Sequence, residues 1–324
     1  MARGQRIADR CEMRAPIGHE AMREVWECTG LHLRRLAALD SIRPELLDSD
    51  DERQRLVRRF LRETAALAGV DHSHVATVHN AGGWKVMQHF VMQLVPAVAT
   101  VVALVSEHGP LAVDATGAAG AQITVGLSAV DAARLVRRGS QTAERHGGAQ
   151  WHLEDHRLRS GGRTRRHAHT VDRPVRGHDA PDSRAPEQEG GPHSHVDYRA
   201  DLYSPGCLLY FMLTEEPPFT ALIPALVMLA HRTSTPPALA SFRHDIPADL
   251  EDLVLRLLAK HPGERHADAT SVYSLLAPHI LASVPDASWD SFLDPGTAMT
   301  RTFRFPASPR PPATRVDKRA RGRR

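Results

Sequence analysis

Cysteine is scarce: the 324-residue chain has three, at positions 11, 28 and 207. Their separation shows no paired spacing. That excludes a disulfide-dense secreted scaffold and a cysteine-based zinc site, and it points to a reducing cytoplasm. Aromatic residues make up only 5% of the chain, so the core must lean on Leu, Val and Ala. Neither sign of charge dominates. The formal net charge is +3, which does not announce a specific nucleic-acid binder. No long hydrophobic run is present either. The most apolar stretch, Val91 to Val105, is interrupted by Gln93 and Pro96 and is too short to cross a bilayer. The opening residues MARGQRIADR lack the apolar segment of a secretory leader.

What is present is enough for a folded core. At 42% apolar, the chain can form one large domain or two ordinary ones. Residues 1–110 mix short apolar runs, VATVHNAG and HFVMQLV, with one amphipathic helix, DERQRLVRRFLRETAALAGV. Within that helix Leu56, Phe60, Ala65 and Leu67 are expected to share a face opposite the arginines. Residues 111–137 read as an Ala- and Val-rich helix. Between 139 and 184 the texture changes abruptly to Gly, Arg and His without apolar periodicity. Helical patterning returns in LYSPGCLLYFMLT, ALIPALVMLAHR and PADLEDLVLRLLAKH. From Pro295 on the chain is Pro- and Arg-rich, the composition of a flexible tail. No internal repeat is visible.

In order along the chain, these zones resemble the landmarks of the protein kinase family in its bacterial Ser/Thr form. APIGHEAMREVW sits where that family has its Gly-rich loop, and LAALDSIRPELL where it has the strand bearing the ATP-positioning lysine. RRFLRETAALAGVDHSHVATVHNAG is similar to the following helix and strand, and HFVMQLV to the strand leading into the hinge. APEQ, DYRADLYSPGCLLYFMLTEEPPF and LVLRLLAKHPGERHADA resemble three consecutive landmarks of the large lobe. The likeness covers residues 8 to 282, save 139–184. It implies an α+β, two-lobed kinase-like fold, disrupted between residues 139 and 184. The small β-rich lobe spans about 8–95, the mostly helical lobe about 96–283, and a tail 284–324. It also implies roles. Gly18, Val25, Ala38 and Glu63 mark a remnant ATP site. Glu187 and Arg265 form a buried structural ion pair, and Asp201 braces the catalytic-loop backbone.

The chemistry of the family is not matched. Phosphoryl transfer needs close backbone contact with phosphate, a lysine on the phosphates, an aspartate base and a metal-binding aspartate. Of the loop glycines only Gly18 remains, with His19, Glu20, Ala21 and Arg23 filling the rest. Asp40 stands at the lysine position, where it is expected to face Glu63 and the phosphates with the wrong sign; Arg43 is out of phase to replace the lysine. The expected His-Arg-Asp reads Arg137-Arg138-Gly139, and no Asp-Phe-Gly occurs. Asp155 and Asp172, the nearest aspartates, lack the apolar flank that would fix them. As translated, the chain thus has no intact catalytic residue, with Asp40 and Gly139 as the degenerate positions, and no bound cofactor is expected. ATP and Mg²⁺ are what the intact family chemistry requires.

Codon logic accounts for the odd segment. If one extra nucleotide follows the Arg138 codon, residues 139–144 permit Asp-Leu-Lys-Pro-Gln-Asn and residues 145–147 permit Val-Met-Val. Trp151 to Glu154 then permit Gly-Thr-Leu-Lys, and Arg157 to Arg159 permit Asp-Phe-Gly at the family's spacing. The frame returns just before Ala185. Residues 139–184 are therefore read as out of frame and expected to be poorly ordered. Gene decay covers both this segment and the lost small-lobe residues.

Six of the twenty histidines fall in residues 139–184, where the same frame accounts for them. The pairs His167/His169 and His193/His195 lack the acid or cysteine that would complete a metal site. As partners, the sequence suggests a protein docking on the large lobe. The basic run from Arg315 to Arg324 suggests weak contact with anionic membrane or nucleic acid.

Overall fold

The computed structural model describes residues 1–19, 23–42, 49–84, 87–94, 101, 105, 109–138, 183–189 and 196–280. Alternation decides the first half. In β3 (Arg23–Gly30) Glu24, Trp26 and Cys28 are buried, while the residues between them are partly exposed. That is the period of a strand with one covered face. β1 (Arg6–Ile7), β2 (Cys11–His19), β4 (Arg35–Ile42), β5 (Val78–Trp84) and β6 (Met87–Gln93) join it in an antiparallel sheet of order β1-β2-β3-β4-β6-β5. β1 and β2 are joined by Ala8 and Asp9, at φ of 50° and 52°. Two left-handed residues in a row are what a tight hairpin needs to match strand twist.

Helix α1 (Asp50–Leu67) lies against this sheet through Phe60, Thr64 and Leu67, which are buried. Phe60 meets Phe90 of β6 at 5.5 Å between ring centroids. The buried stripe thus runs 60–64–67, and Thr64 takes the place that sequence patterning gave to Ala65, which is only partly covered. The i, i+4, i+7 spacing from Phe60 explains why. On the other sheet face Ile7, Cys11, Met13, Trp26, Cys28, Ala37, Leu39, Met87 and Val91 form a second small core.

The helical lobe consists of α2 (Val113–Arg138), α3 (Ala200–Thr214), α4 (Pro224–Thr233), α5 (Ala248–Leu257) and α6 (Ala269–Leu276), with a 3₁₀ turn at Pro186–Glu189. Helix α3 is apolar nearly all round and sits at the centre: Leu202, Tyr203, Leu209, Tyr210, Met212 and Leu213 are each at most 1% exposed. A helix without a polar face must be covered on every side. Gly206 lets α5 come close, since a Cβ there would stand 2.7 Å from the Cβ of Leu257. The helix stops at Glu215, at φ 63°, before Pro217 and Pro218 can conflict with it. This is the two-lobed, kinase-like α+β fold that the resemblance implied. Residues 139–182 and 281–324, on which the frame and tail readings fall, lie outside the described residues. Among the described residues no helix is long and apolar enough to cross a membrane.

Candidate active site

Strand register assembles the site. Gly18 pairs with Val25 across β2 and β3. Val25 pairs with Asp40 across β3 and β4, and Asp40 with Phe90 across β4 and β6. Ala38 stands two residues before Asp40, on the same face, and is buried. The fold therefore gathers Gly18, Val25, Ala38 and Asp40 on the sheet face that carries Phe90 and α1. A Cβ on Gly18 would sit 3.5 Å from that of Val25, so the strands are close there.

Asp40 is 2% exposed, and its partner is Arg23. Arg23 lies on the same face of β3, two residues before Val25, diagonally across from Asp40. Its Nε donates to Oδ1 at 3.4 Å and its Nη2 donates to Oδ2. The same guanidinium stands 5.8 Å over the Phe60 ring. A carboxylate removed from water is costly unless a cation with matching donors meets it, and a guanidinium fork supplies that geometry. Asp40, expected to stand with the wrong sign towards Glu63 and phosphate, has its charge met by Arg23. Glu63 is held by Arg59 one turn earlier in α1, with Nε donating to Oε1 at 2.8 Å. The pairing of Arg23 was missed in the sequence, although the signal was available: Arg23 and Asp40 share strand phase on adjacent strands.

In the helical lobe Arg265 and Glu187 meet bidentately, at 2.6 and 2.8 Å. Arg265 also donates to the carbonyls of Ala259 and Arg199, each at 2.9 Å, and stacks 4.9 Å from the Tyr203 ring centroid. The arginine side chain is fully buried and locks the 3₁₀ turn to the segment before α6. Asp201 is buried in the first turn of α3. The loop that it is expected to brace lies outside the described residues, as do Gly139, Asp155, Asp172, Glu20, Arg43 and both His-x-His pairs. Among the described residues no group of three or more His, Cys, Asp or Glu could hold a metal ion.

Strand register adds what sequence spacing does not show: Cys11 and Cys28, 17 positions apart, are diagonal neighbours on β2 and β3. Both are free and buried, as is Cys207.

The chain is 25% identical over 275 residues to a probable serine/threonine-protein kinase of Clostridium perfringens, which covers 83% of this chain and 38% of that protein. It is 27% identical over 302 residues to the serine/threonine-protein kinase PknB of Mycolicibacterium smegmatis, covering 89% of this chain and 45% of the relative. Over 88 residues it reaches 41% identity to PknB of Mycobacterium tuberculosis. The chain is similar to bacterial Ser/Thr protein kinases. The kinase domain of Mycobacterium tuberculosis PknI shares the fold, with a TM-score of 0.58, 21% identity, and coverage of 86% of this chain and 98% of that one. No family model matches. The chain spans less than half the length of the two full-span relatives.

The likeness to protein kinases implies ATP and Mg²⁺ as cofactors in those relatives. At Asp40, where the resemblance expects the phosphate-binding lysine, the Arg23 guanidinium donates to the carboxylate oxygens.

Proposed function

We propose that this chain is a kinase-fold protein that does not transfer phosphate as translated, and that it acts by binding another protein. The observation that carries this reading is the neutralised Arg23–Asp40 pair at the place of the phosphate-gripping lysine. A lysine there acts as a point cation on the α- and β-phosphates. Asp40 offers phosphate only repulsion, and Arg23 is already committed to it. The absence of a His-Arg-Asp aspartate and of Asp-Phe-Gly from the sequence supports the same conclusion. The intact clamp between Glu187 and Arg265 supports a retained scaffold. Exposed Leu222, Ile223, Leu226 and Leu229, in and just before α4, support a partner-binding role for the large lobe.

The test is a titration of the purified chain with Mg-ATP, followed by calorimetry and by the unfolding midpoint. No heat of binding and no shift of the midpoint are expected. Saturable binding at micromolar nucleotide, or phosphate transfer to a protein substrate by this polypeptide, would overturn the reading.

A second reading rests on the codons of 139–159, which permit both the catalytic-loop sequence and Asp-Phe-Gly in order. On that reading the true frame encodes an active Ser/Thr kinase that moves the ATP γ-phosphate to a Ser or Thr hydroxyl. Resequencing the gene across codons 138–185 decides between them. An uninterrupted frame identical to the present one removes the second reading.

A further inference from the structure

The outer face of the small-lobe sheet holds a feature that the phosphate site does not use. Cys11 opens β2 and Cys28 lies near the end of β3, so together they stand at the base of the hairpin that carries Gly18 and Arg23 beyond it. The register puts Cys11 opposite Gly30 and Met13 opposite Cys28, which makes the two cysteines diagonal neighbours on one sheet face. They share the small core of that face, at 5% and 0% exposure. Gly30 presents no side chain opposite Cys11. Both thiols are free, and the diagonal register leaves them neighbours within one packed core.

We propose that Cys11 and Cys28 are a modification site: oxidation by a hydroperoxide joins them in a disulfide that clamps the base of the β2–β3 hairpin. In the first step the Cys11 sulfur attacks the distal oxygen of the peroxide. An S–O bond forms, the O–O bond breaks, and water leaves after taking up a proton. In the second step the Cys28 sulfur attacks the Cys11 sulfenic acid. The S–S bond forms, the S–O bond breaks, and a second water departs with the Cys28 proton. Two thiols and one hydrogen peroxide thus give one disulfide and two waters. Closing the bond draws the sulfurs together to about 2 Å, a movement that strand ends can supply.

The direction of attack follows from the surroundings. The thiol of Cys28 as hydrogen-bond donor, reinforced by the Arg10 charge, holds Cys11 down at about 7 against the opposing effect of burial. Cys28 is pushed up, first by that hydrogen bond and then by burial and the charges of Cys11 and Glu27. Cys11 is therefore the thiolate and nucleophile, and Cys28 the resolving partner.

The experiment exposes the full chain to hydrogen peroxide, blocks remaining thiols in denaturant, and maps tryptic peptides without reduction. The expected product is peptide 11–14 linked to peptide 24–34, with one of the three thiols still free, at Cys207. Cys207→Ser should give the same link. Cys28→Ser should stop at a Cys11 sulfenic acid that dimedone captures. Three free thiols after peroxide treatment, or a link that involves Cys207, would sink the proposal. The wild-type peptide map alone decides it, should either hairpin variant fail to fold.

Discussion

Arg265 divides its donors between the Glu187 carboxylate and backbone carbonyls of Ala259, Arg199 and Lys260, with no part of the side chain open to water. Removing one member of such a pair strands the other, which is far more damaging than replacing both. Arg265→Ala is expected to cost about 3–5 kcal/mol of stability, measured as the shift in urea midpoint at constant slope. Arg265→Lys should recover only part of this, because an ammonium cannot present the planar fork. A loss under about 1 kcal/mol for Arg265→Ala would show that the clamp is not structural. At the same scale, Glu187 and Arg265 could be named from the sequence because each sits in an ungapped motif. Arg23 was given no partner there, since its phase counts only once β3 and β4 are known to pair. Its role depends on a diagonal across two strands, and the residue types alone suggest an unrelieved acid at Asp40.

Helix α1 and the central helix α3 show two ways in which an element is held. Phe60 is 3% exposed and bridges α1 to Phe90 on the sheet. Phe60→Ala leaves a ring-sized cavity and should cost about 3–5 kcal/mol in chemical denaturation. In α3 the constraint is reversed, since the interface admits no side chain at all. Gly206→Ala would thrust a methyl against the Cβ of Leu257, which cannot rotate away, and should cost about 1–3 kcal/mol despite the better helix propensity of alanine. Equal or greater stability of that variant would contradict the close packing of α3 on α5. The helices were the more legible elements, as in α5, whose apolar period is clean. The stripe of α1 was misread by one residue, with Ala65 for Thr64, because hydropathy favours alanine while helical geometry places position 64 under Phe60. That Cys11 and Cys28 meet was invisible without register, since an antiparallel hairpin brings together residues that no local spacing joins.

For the molecule as a whole, buried histidines set the response to acid. His89 and His266 are each 5% exposed. Both titrate below the ordinary histidine range, first through burial and then through the nearby charges of Arg10 and Arg256 respectively. The unfolded chain therefore binds more protons than the folded one at pH values just under the free imidazole pKa. Stability should be fully present above about pH 6.5 and should fall as the pH drops below it. Unfolding midpoints measured between about pH 7.5 and pH 5 check this, and His89→Phe, if folded, should lessen the decline. A flat profile across that range would show that these imidazoles are not held neutral by the fold.

The opposed charges on β3 and β4 also bear on how positions 23 and 40 can change. Lysine at position 40 beside Arg23 places two cations in a shielded space over the Phe60 ring, and glycine at position 23 removes the guanidinium that donates to Asp40. Each single change is therefore expected to cost stability, and the double change less than the sum of the two. Asp40→Lys should destabilise the chain more than Arg23→Gly combined with Asp40→Lys, a non-additivity that a double-mutant cycle would read directly. Such a pair works as a latch: each residue is tolerated at its position because the other is there.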